Sequence, residues 1–208
     1  MRFNSHLSFF IASLAFLLSA CSESFTDSRD GQSYDVVKIG GLTWMAENLN
    51  YETETSACPD GDSRNCKRLG QLYTWADAKT VCPEGWRLPT KADFEALVNA
   101  ASGDDARPLA GAALKAKDGW FKKGNGTDDF GFNALPAGYR GAISKMDDDT
   151  ITGGKFDGIG GYAYFWSATE DSENLKSNAY YLFLSFSSDA ASLNAFAKED
   201  YRSVRCVR

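Results

Sequence analysis

The sequence predicts an α+β fold with antiparallel sheets, on three observations. One segment has clear helical spacing, several short β-prone runs lack alternating helices between them, and the loops are long and rich in glycine and aspartate. The 208 residues, 43% apolar, suit one core and are too few for two ordinary domains. A net charge of -6 sets the molecular field against a polyphosphate backbone, so no nucleic acid partner is expected.

Taken in order, the first element is a targeting segment. Arg2 precedes an apolar run from Leu7 to Leu18, closed by Ser19 and Ala20 before Cys21. That pattern is a secretory signal over residues 1–20. As a helix, Leu7 to Ala20 would rise only ~21 Å at about 1.5 Å per residue, short of the ~30 Å that a spanning helix must cross. Leu18-Ser19-Ala20-Cys21 resembles a bacterial lipobox, in which the cysteine sulfur takes a diacylglyceryl group and becomes the mature N-terminus. The resemblance implies a lipoprotein with a membrane surface as partner, since acyl chains on Cys21 contribute about 0.8 kcal/mol per buried methylene. An ordinary signal peptide that happens to hold a cysteine is the alternative. Ser22, in place of an aspartate, resembles the signal for export to an outer membrane. Residues 21–33 then read as a lipidated N-terminus and polar tether, with the domain over 34–208.

The only histidine, His6, lies in the discarded segment. No imidazole remains for Ser-His-Asp or Cys-His catalysis or for the commonest zinc sites. Cys58, Cys66, Cys82 and Cys206 are an even set in an oxidising compartment and read as two disulfides. Pro59-Asp60-Gly61-Asp62 is a turn sequence that brings Cys58 to Cys66, which leaves Cys82 for Cys206. A four-thiolate metal site is the rival, without the paired short spacings it needs.

Within the domain, Tyr34 to Ile39 and Leu42 to Ala46 are β-prone runs joined by Gly40-Gly41, which reads as a hairpin. Trp75, Ala78 and Cys82 recur at helical spacing before Pro83-Glu84-Gly85, giving a short helix with the cysteine on its buried stripe. Thr90 caps a second helix with Asp93 as its capping-box partner, and Phe94, Leu97, Val98 and Ala101 form its apolar face. Beyond residue 102 the helical period is lost and long loops take over. Tyr162 to Trp166, Tyr180 to Phe186 and Tyr201 to Val207 read as three strands. The expectation is therefore two helices, antiparallel sheets and long Gly/Asp-rich loops.

Trp75, Ala78, Cys82, Gly85, Leu88, Pro89, Phe94 and Leu97, followed by an aromatic strand and a final strand with Cys206, resemble the C-type-lectin-like fold. That resemblance implies a helix-to-last-strand disulfide, Cys82 to Cys206. More closely, the runs Gly40 to Tyr51, Cys82 to Pro89, Leu135 to Arg140, Phe165 to Glu170 and Ser203 to Val207 resemble the Fibrobacter succinogenes major paralogous domain. The resemblance covers about residues 30 to 208. It implies a fold and leaves activity open, because one scaffold hosts many functions.

Each candidate site has a bland reading beside the functional one. Sugar-binding C-type lectins share a calcium ion with sugar hydroxyls through a Glu-Pro-Asn or Gln-Pro-Asp loop and a Trp-Asn-Asp strand. Neither triplet occurs here, and Leu135-Pro136-Ala137 has no side-chain oxygen to offer. Asn125, Thr127, Asp128 and Asp129 form a loop dense in hard donors that could hold a structural calcium; a solvated turn with Asx bonds is the alternative. Asp147-Asp148-Asp149 reads as a solvated loop tip. Trp120, Tyr139, Tyr162 and Tyr164 are candidate ligand-binding rings, with Phe121 beside them, against the alternative that they fill the core. Gly158-Ile159-Gly160-Gly161 matches a dinucleotide fingerprint by letter only, since a strand follows it, and Ser167 lacks a nucleophile elbow. The function expected is a non-catalytic recognition module on an envelope lipoprotein, with a polysaccharide or an envelope protein as partner. A structural or assembly lipoprotein is one alternative, and an enzyme resembling the formylglycine-generating fold, which needs reactive thiols, is another.

Overall fold

The computed structural model describes residues 23–103, 109–145, 151–172 and 175–208. The signal segment, Cys21 and Asp147-Asp148-Asp149 lie outside them. The chain is α+β, with all of its sheets antiparallel. The first sheet joins β1 (Ser24–Thr26), β2 (Ser33–Ile39) and β3 (Leu42–Met45) in that order. Gly40 and Gly41 turn the β2–β3 hairpin with φ of 60° and 85°, the left-handed values that a two-residue turn of this kind demands. β1 adds a strand ahead of Tyr34. Phe25 pairs with Tyr34 and tilts against Trp86 at 5.1 Å, so the polar segment before residue 33 carries an apolar anchor that ties it to the domain.

Four helices, not two, follow among the described residues: α1 (Ser63–Leu69), α2 (Trp75–Ala78), α3 (Lys91–Ser102) and α4 (Ala110–Leu114). α1 is capped by Asp62 and carries Cys66, so the Cys58–Cys66 bridge ties it to the turn before it. α2 is a single turn that stops before Cys82, because the chain must turn at Thr80 to carry that sulfur to Cys206. α3 has the full capping box, with Thr90 and Asp93 exchanging side-chain and backbone bonds, and buries Phe94, Leu97 and Ala101. Short pairs β4 (Ala137–Arg140) with β7 (Phe156–Ile159) and β5 (Ile143–Lys145) with β6 (Ile151–Gly153) precede the main sheet. That sheet has the order β10 (Ala191–Ala197), β9 (Asn178–Ser185), β8 (Tyr162–Glu170).

Residues 201–207 are not one regular strand as expected. They bridge in turn to Arg140, Tyr73, Phe165, Arg87 and Trp44, changing partners as they thread the middle of the molecule. The side chains of this thread enter more than one apolar cluster. In one, Trp44, Phe94, Leu97, Leu114, Phe132, Phe165, Leu182 and Val207 pack together. In another lie Tyr34, Met45, Tyr73, Trp75, Trp86, Trp166, Val204 and Cys206.

Candidate functional site

The main sheet has two unlike faces, set by the period of two along its strands. Ala163 and Phe165 of β8 and Leu182 and Leu184 of β9 turn inward to the cluster under α3. Tyr162, Tyr164 and Trp166 alternate with them and face the other way. The register pairs Tyr164 with Phe183 and Trp166 with Tyr181, so rings from two strands share that outer face. Tyr164 lies 5.1 Å from Phe183, 5.7 Å from Tyr181 and 5.3 Å from Tyr139 of β4, all within the range of favourable ring pairs. All four of these rings are half-buried, and Phe196 on β10 is 55% exposed.

At the centre stands Arg202. Its guanidinium carbon lies 4.4 Å from the Tyr181 centroid, 4.7 Å from Trp166, 5.2 Å from Tyr164, 5.6 Å from Tyr139 and 5.8 Å from Phe196. Arg202 is buried, and Nη2 donates to Asp200 Oδ2 at 3.0 Å, while Asp200 Oδ1 accepts from the Ala142 N–H at 3.0 Å. Nε and Nη1 have no hydrogen-bond partner. Burial lowers the Arg202 pKa against the pull of Asp200, and burial raises the Tyr164 and Tyr181 hydroxyls, with the cation opposing. Tyr139, Tyr164, Tyr181, Phe196, Asp200 and Arg202 together wall a pocket of about 180 Å³. Half-buried rings around a pocket of this kind suit a ligand that has apolar faces.

Of the rings singled out by sequence, Tyr139, Tyr162 and Tyr164 meet on this face, and Trp120 does not. Trp120 is buried and donates through Nε1 to the Ala134 carbonyl at 3.0 Å, so it is a core ring. Sequence reasoning missed Tyr181, Phe183, Phe196 and Arg202. The first two were legible as alternate members of the Tyr180 to Phe186 run. Arg202 stands beside Ser203 and Arg205 in Tyr201 to Val207, and no local signal told which of the two arginines would meet the rings.

Side chains of the Gly124–Asp129 loop bond to the loop and to the backbone flanking it. Asn125 Oδ1 accepts from the Trp120 N–H at 3.1 Å, Asp128 Oδ1 accepts from the Asn133 N–H at 2.7 Å, and the Thr127 hydroxyl donates to Asp129 Oδ2 at 2.8 Å. These bonds make the four residues part of a hydrogen-bonded turn. Among the described residues no group of three or more His, Cys, Asp or Glu could hold a metal ion. Both expected disulfides are present, Cys58–Cys66 and Cys82–Cys206, so no cysteine among the described residues is a free thiol.

No curated protein and no solved structure matches the chain. The family model of the Fibrobacter succinogenes major domain matches residues 37–208, which span β3, every helix, the main sheet and the Arg202 pocket, and the chain belongs to that family.

Proposed function

We propose that this domain is a non-catalytic carbohydrate-recognition module, carried on the cell envelope by a lipid on Cys21 and binding through the outer face of the main sheet. One observation carries the reading: buried Arg202, with Nε and Nη1 unpartnered, sits beneath half-exposed rings at the edge of a pocket. Tyr139, Tyr164, Tyr181 and Phe196 offer surfaces for the C–H faces of a sugar, and the buried Arg202–Asp200 pair holds these rings together from beneath. The disulfides, the absence of histidine after residue 6 and the oxidised state of the four domain cysteines support binding over thiol or imidazole chemistry. The staple from Cys82 to the terminal segment supports the C-type-lectin-like reading of the scaffold. The test is retention of the full chain on immobilised envelope and cell-wall polysaccharides. Tyr164→Ala and Tyr181→Ala should each weaken retention roughly three- to tenfold, and Leu109→Ala, exposed at the far side by α4, should not. Equal retention of all three variants would sink the reading.

A further inference from the structure

We propose that the open edge of the main sheet is an interface, on which β10 pairs antiparallel with β10 of a second copy of this chain across a two-fold axis at Asn194. The two edges of that sheet are unlike. At β8 the terminal thread closes the ladder, the Ser203 N–H donating to the Tyr164 carbonyl at 3.1 Å and the Trp166 N–H to the Ser203 carbonyl at 3.0 Å. β10 is the outermost strand on the other side, and no further strand pairs with it among the described residues.

The register shows which groups are left open. The Lys198 N–H donates to the Ser177 carbonyl at 3.0 Å, one step beyond the Ala197–Asn178 pair, so the even-numbered residues of β10 turn their N–H and C=O toward β9. The N–H and C=O of Ala191, Leu193 and Ala195 therefore point outward, and they have no backbone partner among the described residues. β10 carries none of the devices that keep a free edge from pairing. It has no charged residue, no proline and an unbroken register with β9.

The strand's own sequence argues for a second copy as the occupant. Pairing Asn194 with its twin sets Leu193 against Ala195, Ser192 against Phe196 and Ala191 against Ala197, so no like charges face each other along the paired strands. The same register aligns the outward groups, and each Leu193–Ala195 pair exchanges both of its main-chain bonds. Asn194 then falls at a closely spaced position, where facing Cα atoms are about 4.5 Å apart. It is exposed, and within one copy its Nδ2 donates to Ser192 Oγ at 3.2 Å. A carboxamide both donates and accepts, so it is complementary to its own copy. Ser192, Asn194 and Phe196 share the outer face, so pairing joins two three-stranded sheets into one with both Arg202 pockets on the same side. The interface stands independently of what those pockets take up.

The experiment is cysteine cross-linking of the full chain in the producing cells under a mild thiol oxidant, read on a non-reducing gel. Asn194→Cys brings two sulfurs together across the axis within the disulfide range of about 4.4–6.8 Å between Cα atoms. The chain should shift from the monomer to the dimer band. Ser192→Cys is also exposed, but its twin lies roughly 13 Å away along the pair, so it should stay monomeric. Co-expressed with Phe196→Cys, which faces it across the axis, it should join the dimer band. Equal cross-linking of Asn194→Cys and Ser192→Cys, each alone, would show collision without register and overturn the proposal. A monomer band from Asn194→Cys would overturn it too. A heavier band joining Asn194→Cys to a different protein would show that the edge takes a foreign strand, and the second copy would fall.

Discussion

Two arginines three residues apart meet burial in opposite ways. Arg205 is fully buried and pairs with no carboxylate among the described residues, so burial lowers its pKa to about 9. It is held by oxygens instead. Nε donates to Asn48 Oδ1 at 2.8 Å, Nη1 to the carbonyls of Met45 and Phe132, and Nη2 to the Asn133 carbonyl at 2.9 Å. The Phe132 ring lies 4.6 Å beneath it. Arg205 thus links the end of β3, the Phe132–Asn133 loop and the terminal thread. Arg205→Ala should cost about 3–5 kcal/mol in urea unfolding, since several carbonyls lose their donor at about 1–3 kcal/mol each and a cavity opens. Arg205→Lys should recover only part, because one ammonium cannot reproduce the fork. Arg202 leaves two nitrogens unpartnered, so Arg202→Met should cost less stability than Arg205→Ala and more binding. The reverse order would show that Arg202 is the structural arginine of the two.

At the scale of elements, α3 shows what local signals can do. Burial pushes the Asp93 carboxyl up, but Arg87 Nη1 at 2.6 Å and the Thr90 N–H and hydroxyl, each at 2.7 Å, outweigh it and hold the pKa below 3.8. A lowered native pKa stabilises the fold above the unfolded value and loses that contribution as pH falls through the native one. Thr90→Ala should therefore cost about 1 kcal/mol near neutral pH. The stability gap between wild type and Asp93→Asn should close as pH drops below 3.8, followed by urea midpoints across the acid range. The same capping box made α3 legible from sequence, as Gly40-Gly41 made the hairpin. Other elements carried no such mark. β10 reads Ala-Ser-Leu-Asn-Ala-Phe-Ala, with three alanines and an asparagine that have little β preference, and it exists because β9 offers it a ladder. α4 is five residues with an internal glycine, held by its carbonyl contacts to residues 127–134. With β10 unread, Phe196 could not be placed on the ring face. Tyr162 and Tyr164 could be, because alternation along β8 is a local pattern. Arg202 joins them only through the thread of the whole chain.

For the molecule as a whole, that thread decides stability. Residues 201–207 touch segments from β3 to β8 and supply side chains to more than one apolar cluster, so the core closes only when this thread is in place. Cys82–Cys206 fixes this arrangement across a sequence separation of 124, whereas Cys58–Cys66 spans only 8 and staples α1 to its own entry turn. In the chain-entropy account the long bridge is worth about 5 kcal/mol and the short one about 2.5 kcal/mol. The long bridge also has a packing role, since Cys206 is buried among Met45, Trp75, Trp86 and Val204. The double variant Cys82→Ala/Cys206→Ala should therefore lose about twice the stability of Cys58→Ala/Cys66→Ala in guanidinium unfolding. It should also lose glycan binding before the fold melts, because Arg202 lies four residues from the released sulfur. The short-bridge variant should bind as the wild type does, its change being confined to α1 and the turn before it. Equal losses from the two double variants would show that the thread is held by packing alone, with the sulfur bridge adding nothing to it.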